Sequence, residues 1–322
     1  MALMWPSPEG SAEGEAAKVR RIGPGRGRAA RGPMQIPLRG WRDILGRTWV
    51  NFNTDQIMTR AGAVTFFALL ALFPGVTVFV SLYGLFADVH EAQRQILGLA
   101  AIAPHPAVVF LGEQMIRISV QHPSQLSLAF GLGLVLSIWS ANSGMLALIN
   151  ALNAAYGEQE KRSWPRLTLH ALVFTVGALI FVVFGVGAVV AFPLLLPWVR
   201  HAAAWFDVLR WPTLVLLTAV ALSVVYRYGP CRPHGRWRWT SVGGTVSSVL
   251  WVAASVCLSW WISSLGHYDR IYGPFAAVAG AMVWMWISTT IVLFGAELNA
   301  AIEHQTTGIV TTPPPTRRAR AA

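Results

Sequence analysis

The residues with chemical potential in this 322-residue chain are few, and most are polar groups set against long apolar runs. Glu297 sits in Gly295-Ala296-Glu297-Leu298-Asn299, at the close of the last apolar run. A carboxylate at a helix C-terminus is disfavoured by the macrodipole, so it calls for a partner. Arg60 and Arg227 are the cations expected at the same membrane face. Either would lock helix ends together; a polar ligand or lipid headgroup bound at Glu297 is the sharper reading, and plain solvent exposure is the third. Asn142, Asn150 and Asn153 fall within about 80° of one helical face at about 100° per residue. Such amides join helices in a membrane or line a polar cavity. A helix break at Ser143-Gly144 would dissolve the stripe.

Other chemistry is poorly represented. The eight His are scattered and form no HxH or HxxxH pair with nearby acids, so metal-assisted hydrolysis lacks its ligands. No GxSxG elbow is present. Cys231 and Cys257 make no CxxC pair and read as two unpaired thiols. His170 reads as a hydrogen-bonded interface residue near a helix end. We expect no enzyme activity, no cofactor and no metal.

The elements that must carry these residues are membrane helices. Hydrophobic residues make up 54% of the chain and charged residues 12%, against roughly 25% in a soluble domain. Spans are expected at about 61–86, 126–150, 167–192, 212–226, 241–262 and 273–296, since a bilayer core takes about 20 apolar residues and backbone groups in hydrocarbon must pair within a helix. The runs are too long and too uniform for barrel strands. No Asp, Glu, Lys or Arg lies within those bounds, which counts against a cation-coupled transporter or proton pump. There is no internal repeat of the inverted type.

Charge sets the expected topology. Of the 25 Lys and Arg, twenty fall in the N-terminal segment, the second and fourth loops and the C-terminal tail, and five in the other three loops. Positive-inside then places both termini in the cytoplasm of a plasma-membrane protein. The net charge of +11 belongs to these flanks, so nucleic acid is not an expected partner. Membrane lipids with anionic headgroups are, because basic residues near the cytoplasmic leaflet attract them.

Residues 1–35 form a Gly, Pro and Arg-rich tail expected to be disordered, as is the 306–322 tail. Residues 36–56 place Trp41, Ile44, Leu45, Thr48, Trp49 and Phe52 at helical spacing, an amphipathic helix expected to lie in the headgroup layer. The first external loop, about 87–125, is long enough to carry function or pack over the bundle. The fold expected is all-α: a polytopic bundle of about six spans over 36–305, N-in and C-in.

Several segments together resemble the YihY/BrkB family of bacterial inner-membrane proteins. The first span reads Ala61-Gly62-Ala63-Val64-Thr65-Phe66-Phe67-Ala68-Leu69-Leu70-Ala71-Leu72-Phe73-Pro74, and the second carries Trp139-Ser140-Ala141 and Ile149-Asn150-Ala151-Leu152-Asn153-Ala154-Ala155-Tyr156-Gly157. The fourth exits through Tyr226-Arg227-Tyr228-Gly229-Pro230; the sixth opens at Tyr272-Gly273 and closes Leu293-Phe294-Gly295-Ala296-Glu297-Leu298-Asn299-Ala300. Phe66, Ala71 and Pro274 depart from the family pattern. The resemblance implies an inner-membrane protein, with Tyr272 and Asn299 among the candidate polar residues. It also implies that the old ribonuclease BN label of such proteins is misassigned, and it points to lipid or envelope transport. A scaffold that assembles with itself or with an envelope protein is the alternative.

Overall fold

A computed structural model describes residues 30, 35–86, 123–195, 203–232, 237–264 and 275–307. Among the described residues the chain is helical and contains no strand. The seven helices are α1 (Leu38–Thr54), α2 (Ile57–Phe86), α3 (Pro123–Ala155), α4 (Trp164–Leu195), α5 (Ala203–Tyr228), α6 (Trp237–Ser264) and α7 (Phe275–Thr307). Four stretches are long and apolar enough to cross a membrane: Gly131–Ala155, Trp164–Phe181, Ser241–Trp261 and Val278–Thr306. Ile57–Leu72 and Pro212–Tyr228 are shorter apolar helices. Tyr272, the first external loop up to residue 122 and most of both tails lie outside the described residues.

Each helix runs past its apolar segment. α7 is the clearest case: it continues to Thr307, eleven residues beyond the end expected at 296. Glu297 and Asn299 look like a membrane exit in sequence, yet both are wholly buried, so the helix has protein on its polar side. Glu297 therefore lies inside a membrane-length helix. The expectation of carboxylate-free spans depended on ending the last one a residue too early. α5 begins at Ala203 with Pro212 inside it, whereas the sequence suggested Pro212 as its first residue. α3 continues unbroken through Ser143-Gly144.

The core sits at one end of the bundle. Ile57 and Ala61 of α2, Ala151, Leu152 and Tyr156 around the end of α3, Tyr226 of α5, and Leu293, Ala296 and Ala300 of α7 form one buried cluster. This closed end collects the start of α2, the end of α3, the end of α5, the start of α6 and the end of α7. Away from it the helices display large apolar side chains, among them Leu132, Val135, Leu179, Leu216 and Trp260. Patches on this scale are an aggregation hazard in water and a natural surface in lipid.

α1 lies along α7. Its buried stripe is Gly40, Ile44, Thr48 and Phe52, one residue per turn. Ile44 packs into a second cluster with Leu298, Ala301 and Ile302. The stripe read from sequence as facing the headgroups is thus turned onto protein, while Leu45 and Trp49 remain exposed.

The crossing of α6 and α7 is the tightest place in the bundle. A Cβ added at Gly295 would land on Ser247 Oγ, and one at Gly243 would meet the Gly295 carbonyl and the Asn299 amide. Around Gly62 of α2 there is open space. Gly295→Ala should therefore lower unfolding stability in detergent by about 1–3 kcal/mol through overpacking. Gly62→Ala should be neutral or stabilising by up to about 1 kcal/mol. Equal effects of the two in denaturant titrations would contradict the assigned crossing.

Candidate functional site

The polar residues of the apolar sequence converge on the closed end. Two asparagines act as ties. Asn299 accepts a hydrogen bond from the Gly243 amide at 2.8 Å and lies 3.4 Å from the Tyr156 hydroxyl through its Nδ2. Asn153 accepts from the Cys231 amide at 2.7 Å and donates to Glu160 at 2.8 Å. Each therefore binds two other segments of the chain, which is what a buried amide must do to offset its desolvation. Tyr226 donates to the Val292 carbonyl at 2.7 Å with Ser247 beside it at 3.1 Å, and Ser247 donates to the Ile291 carbonyl at 3.1 Å. Those carbonyls lie within α7, so α5 and α6 are both hydrogen-bonded to its backbone.

Two ion pairs close the loops. Arg162 meets Glu160 at 2.7 Å and reaches the Gly229 carbonyl at 3.0 Å, joining the α3–α4 and α5–α6 connections. The Arg162 hydrogen bonds hold the Glu160 carboxyl down at about 2, and Glu160 in turn raises the Arg162 guanidinium. Arg232 meets Glu303 at 2.6 Å and stacks 3.9 Å from the Tyr156 ring centroid. Burial pushes the Tyr156 phenol well above its ordinary range, with the Arg232 charge acting in the opposite direction, so the hydroxyl stays neutral.

Other sequence candidates take different places. The Asn142, Asn150 and Asn153 stripe does not line one cavity: Asn150 is exposed, Asn153 is committed to the loops, and Asn142 keeps a buried Oδ1 without a partner. The span of about 80° is wide enough to send its edges to different neighbours. His170 hydrogen-bonds the Tyr228 carbonyl at 2.9 Å, an interface role as expected.

Glu297 does not form the expected ion pair. Arg60 is exposed and donates its Nε to the Asp55 carbonyl at 2.8 Å, which turns it back onto the α1–α2 turn. Arg227 places its guanidinium 5.4 Å from the Tyr228 ring. The carboxyl of Glu297 is instead faced by Asp55 and Asn51 of α1, without completing a hydrogen bond to either. Directly after Asp55, Gln56 takes a left-handed φ of 51°, uncommon for a residue with a Cβ, and so fixes the turn that presents Asp55.

Sequence reasoning passed over Tyr226, Ser247, Arg232, Glu303 and the Glu160–Arg162 pair. Only Tyr226 carried a signal, through its place in the span-exit motif. The rest depend on which loops meet. Among the described residues no group of three His, Cys, Asp or Glu could hold a metal ion.

The Glu160–Arg162 tie has a defined pH window. A carboxyl whose folded value is depressed stabilises the fold above its unfolded value and loses that contribution as pH falls through the folded one. Glu160→Gln should thus cost about 1–2 kcal/mol at neutral pH, allowing for partial solvent screening. The deficit should shrink as pH falls from about 4.5 toward about 2. Unfolding titrations of wild type and variant at both ends of that window test the assignment, and a deficit that does not change with pH would contradict it.

Known proteins resemble the chain over most of its length. The profile of the family Virulence factor BrkB matches residues 48–320. The ribonuclease-like protein YfkH of Bacillus subtilis is 26% identical over 274 residues, covering 81% of this chain and 96% of its own. The UPF0761 membrane protein Bxeno_A3061 of Paraburkholderia xenovorans is 25% identical over 257 residues, 78% of this chain and 57% of its own. The UPF0761 membrane protein NT05HA_1801 of Aggregatibacter aphrophilus is 23% identical over 266 residues, 81% of this chain and 92% of its own. Against several UPF0761 proteins the chain thus spans only about three fifths of the relative's length. No solved structure matches. With a profile match over most of its length and several membrane-length apolar helices, the chain belongs to the Virulence factor BrkB family and is an integral membrane protein.

Proposed function

We propose that this membrane protein binds or translocates an amphipathic envelope molecule, a lipid with an anionic headgroup. The observation that carries this reading is the asymmetry of the bundle. One end is closed, polar and rimmed by exposed cations, among them Arg42, Arg60, Lys161 and Arg166. The rest exposes large apolar side chains. A lipid has the same two-part chemistry, and each basic residue near an anionic surface adds about 1 kcal/mol of attraction. The rim, rather than Glu297 with Arg227, is where a headgroup would be held, because Arg162 and Arg232 are spent on structural pairs.

The same asymmetry supports six spans with both termini cytoplasmic. Among the described residues the basic α1–α2 and α3–α4 connections and the start of the α5–α6 connection lie at the closed end, and the positive-inside rule would put that end in the cytoplasm of the plasma membrane. A cysteine placed at Lys161, in a chain with Cys231 and Cys257 replaced by Ser, should react with an impermeant maleimide in inverted vesicles and not in intact cells. The reverse pattern would overturn the topology.

A second reading is a scaffold that assembles with itself or with an envelope protein. It is favoured by the number of closed-end polar groups that tie segments of the chain together. Native mass spectrometry in nanodiscs separates the two. Lipid binding predicts retained phosphatidylglycerol in preference to phosphatidylcholine, with Arg42→Gln, Lys161→Gln and Arg166→Gln each weakening it about fivefold, the equivalent of about 1 kcal/mol. Retention indifferent to headgroup charge and to these substitutions would leave the scaffold. We read the chain as a non-enzyme, so the same preparation should leave RNA intact with added divalent metal; the name of the Bacillus relative makes cleavage the outcome to look for.

A further inference from the structure

One chemically capable group at the closed end has no use in the architecture: the carboxyl of Glu297. It is wholly buried, and neither oxygen has a hydrogen-bond partner. Asn153, Asn299, Tyr226 and Ser247, equally deep, are all bonded. Polar groups from three segments face the carboxyl. The end of α1 packs on this part of α7, with the Phe52 and Phe294 ring centroids 6.2 Å apart, and it brings the Asn51 amide and the carboxyl of its C-cap residue Asp55. α2 brings only the charge of Arg60, an exposed side chain whose Nε is already given to the Asp55 carbonyl. Tyr156, at the end of α3, brings a neutral phenol. α6 meets α7 on either side of this position, Gly243 against Gly295 and Asn299. On α7 itself the positions one turn away are Leu293, Phe294, Ala300 and Ala301.

An ionised carboxylate in this place would be stripped of water, without a hydrogen bond, and next to a second carboxyl. Low-dielectric surroundings penalise that arrangement heavily. Two carboxyls in one site avoid the penalty by keeping one proton between them. Carboxyls buried in membrane helices mark proton paths because they are costly to keep without a function.

We propose that Glu297 and Asp55 form a proton-binding site that couples α1 to α7. The Glu297 carboxyl holds the proton, and Asp55 faces it across the seam. The proton exchanges with water through Asp55, which is half-exposed. With the proton bound, α1 rests its Ile44 stripe on Leu298 and Ile302. With the proton lost, like charges face each other across that seam and drive the helices apart. A lipid cargo is not required, and the site stands or falls without the headgroup reading.

Infrared difference spectroscopy of the full-length protein in nanodiscs tests this. Between neutral and alkaline pH the wild type should lose a protonated carboxylic C=O band, and Glu297→Gln should lack that band. Asp55→Asn removes the neighbouring carboxyl and leaves an amide to donate to Glu297, so the band should vanish at a lower pH than in the wild type. That variant keeps the test open if Glu297→Gln does not fold. Absence of the band in the wild type overturns the proposal. So does a band that persists in Glu297→Gln, or one whose pH dependence ignores Asp55→Asn. Loss of the band on adding Na+ at fixed pH would make Na+ the ligand and overturn the proton assignment.

Discussion

The closed end depends on how nearly α6 and α7 approach. The Gly243 carbonyl lies 3.0 Å from where a side chain on Gly295 would begin, so the helices meet backbone to backbone. In lipid no hydrophobic force draws helices together, because the tails are as apolar as the side chains. Close packing and hydrogen bonds must do that work, and small residues make both available. The approach at Gly243 lets its amide reach the Asn299 side chain. It also places Ser247 where it and Tyr226 can bond α7.

From this crossing the rest of the closed end follows. Bringing α7 against α6 leaves its remaining faces for α2, α1 and α3. The α1 stripe of Ile44, Thr48 and Phe52 then covers the last of its buried surface. The loops are tied over the top by Arg162 with Glu160 and by Arg232 with Glu303, which keep four charged groups in pairs near the rim. Such pairs define geometry more than they add stability, since desolvation offsets much of their attraction. Beyond the reach of these ties the helices present apolar side chains to the bilayer.

The helices themselves were legible in the sequence because hydrocarbon permits few backbone solutions. The first five expected spans fall inside α2 to α6, the described part of the sixth lies in α7, and the amphipathic segment became α1. Their ends were less legible. Hydropathy marks where apolar side chains stop, and a helix stops only where its backbone loses partners. α7 shows the difference, since Glu297 and Asn299 are polar and buried at once. Of the candidate residues, Asn153, Asn299 and His170 became interhelical ties or interface bonds. Glu297 kept its place as the residue out of keeping, with a neighbour different from the one charge arithmetic suggested.

The sequence by itself determined the solvent, the helical class and the family, because these are written in local composition and in contiguous motifs such as Gly295-Ala296-Glu297-Leu298-Asn299. Only the tertiary structure decided which polar groups meet. Asn153 finds Cys231 across 78 positions, and Asn299 finds Tyr156 across 143. Helical periodicity says which way a side chain points, not which neighbour stands there. For Glu297 that neighbour is Asp55 rather than Arg60, because the α1–α2 turn presents the acid and folds the cation back.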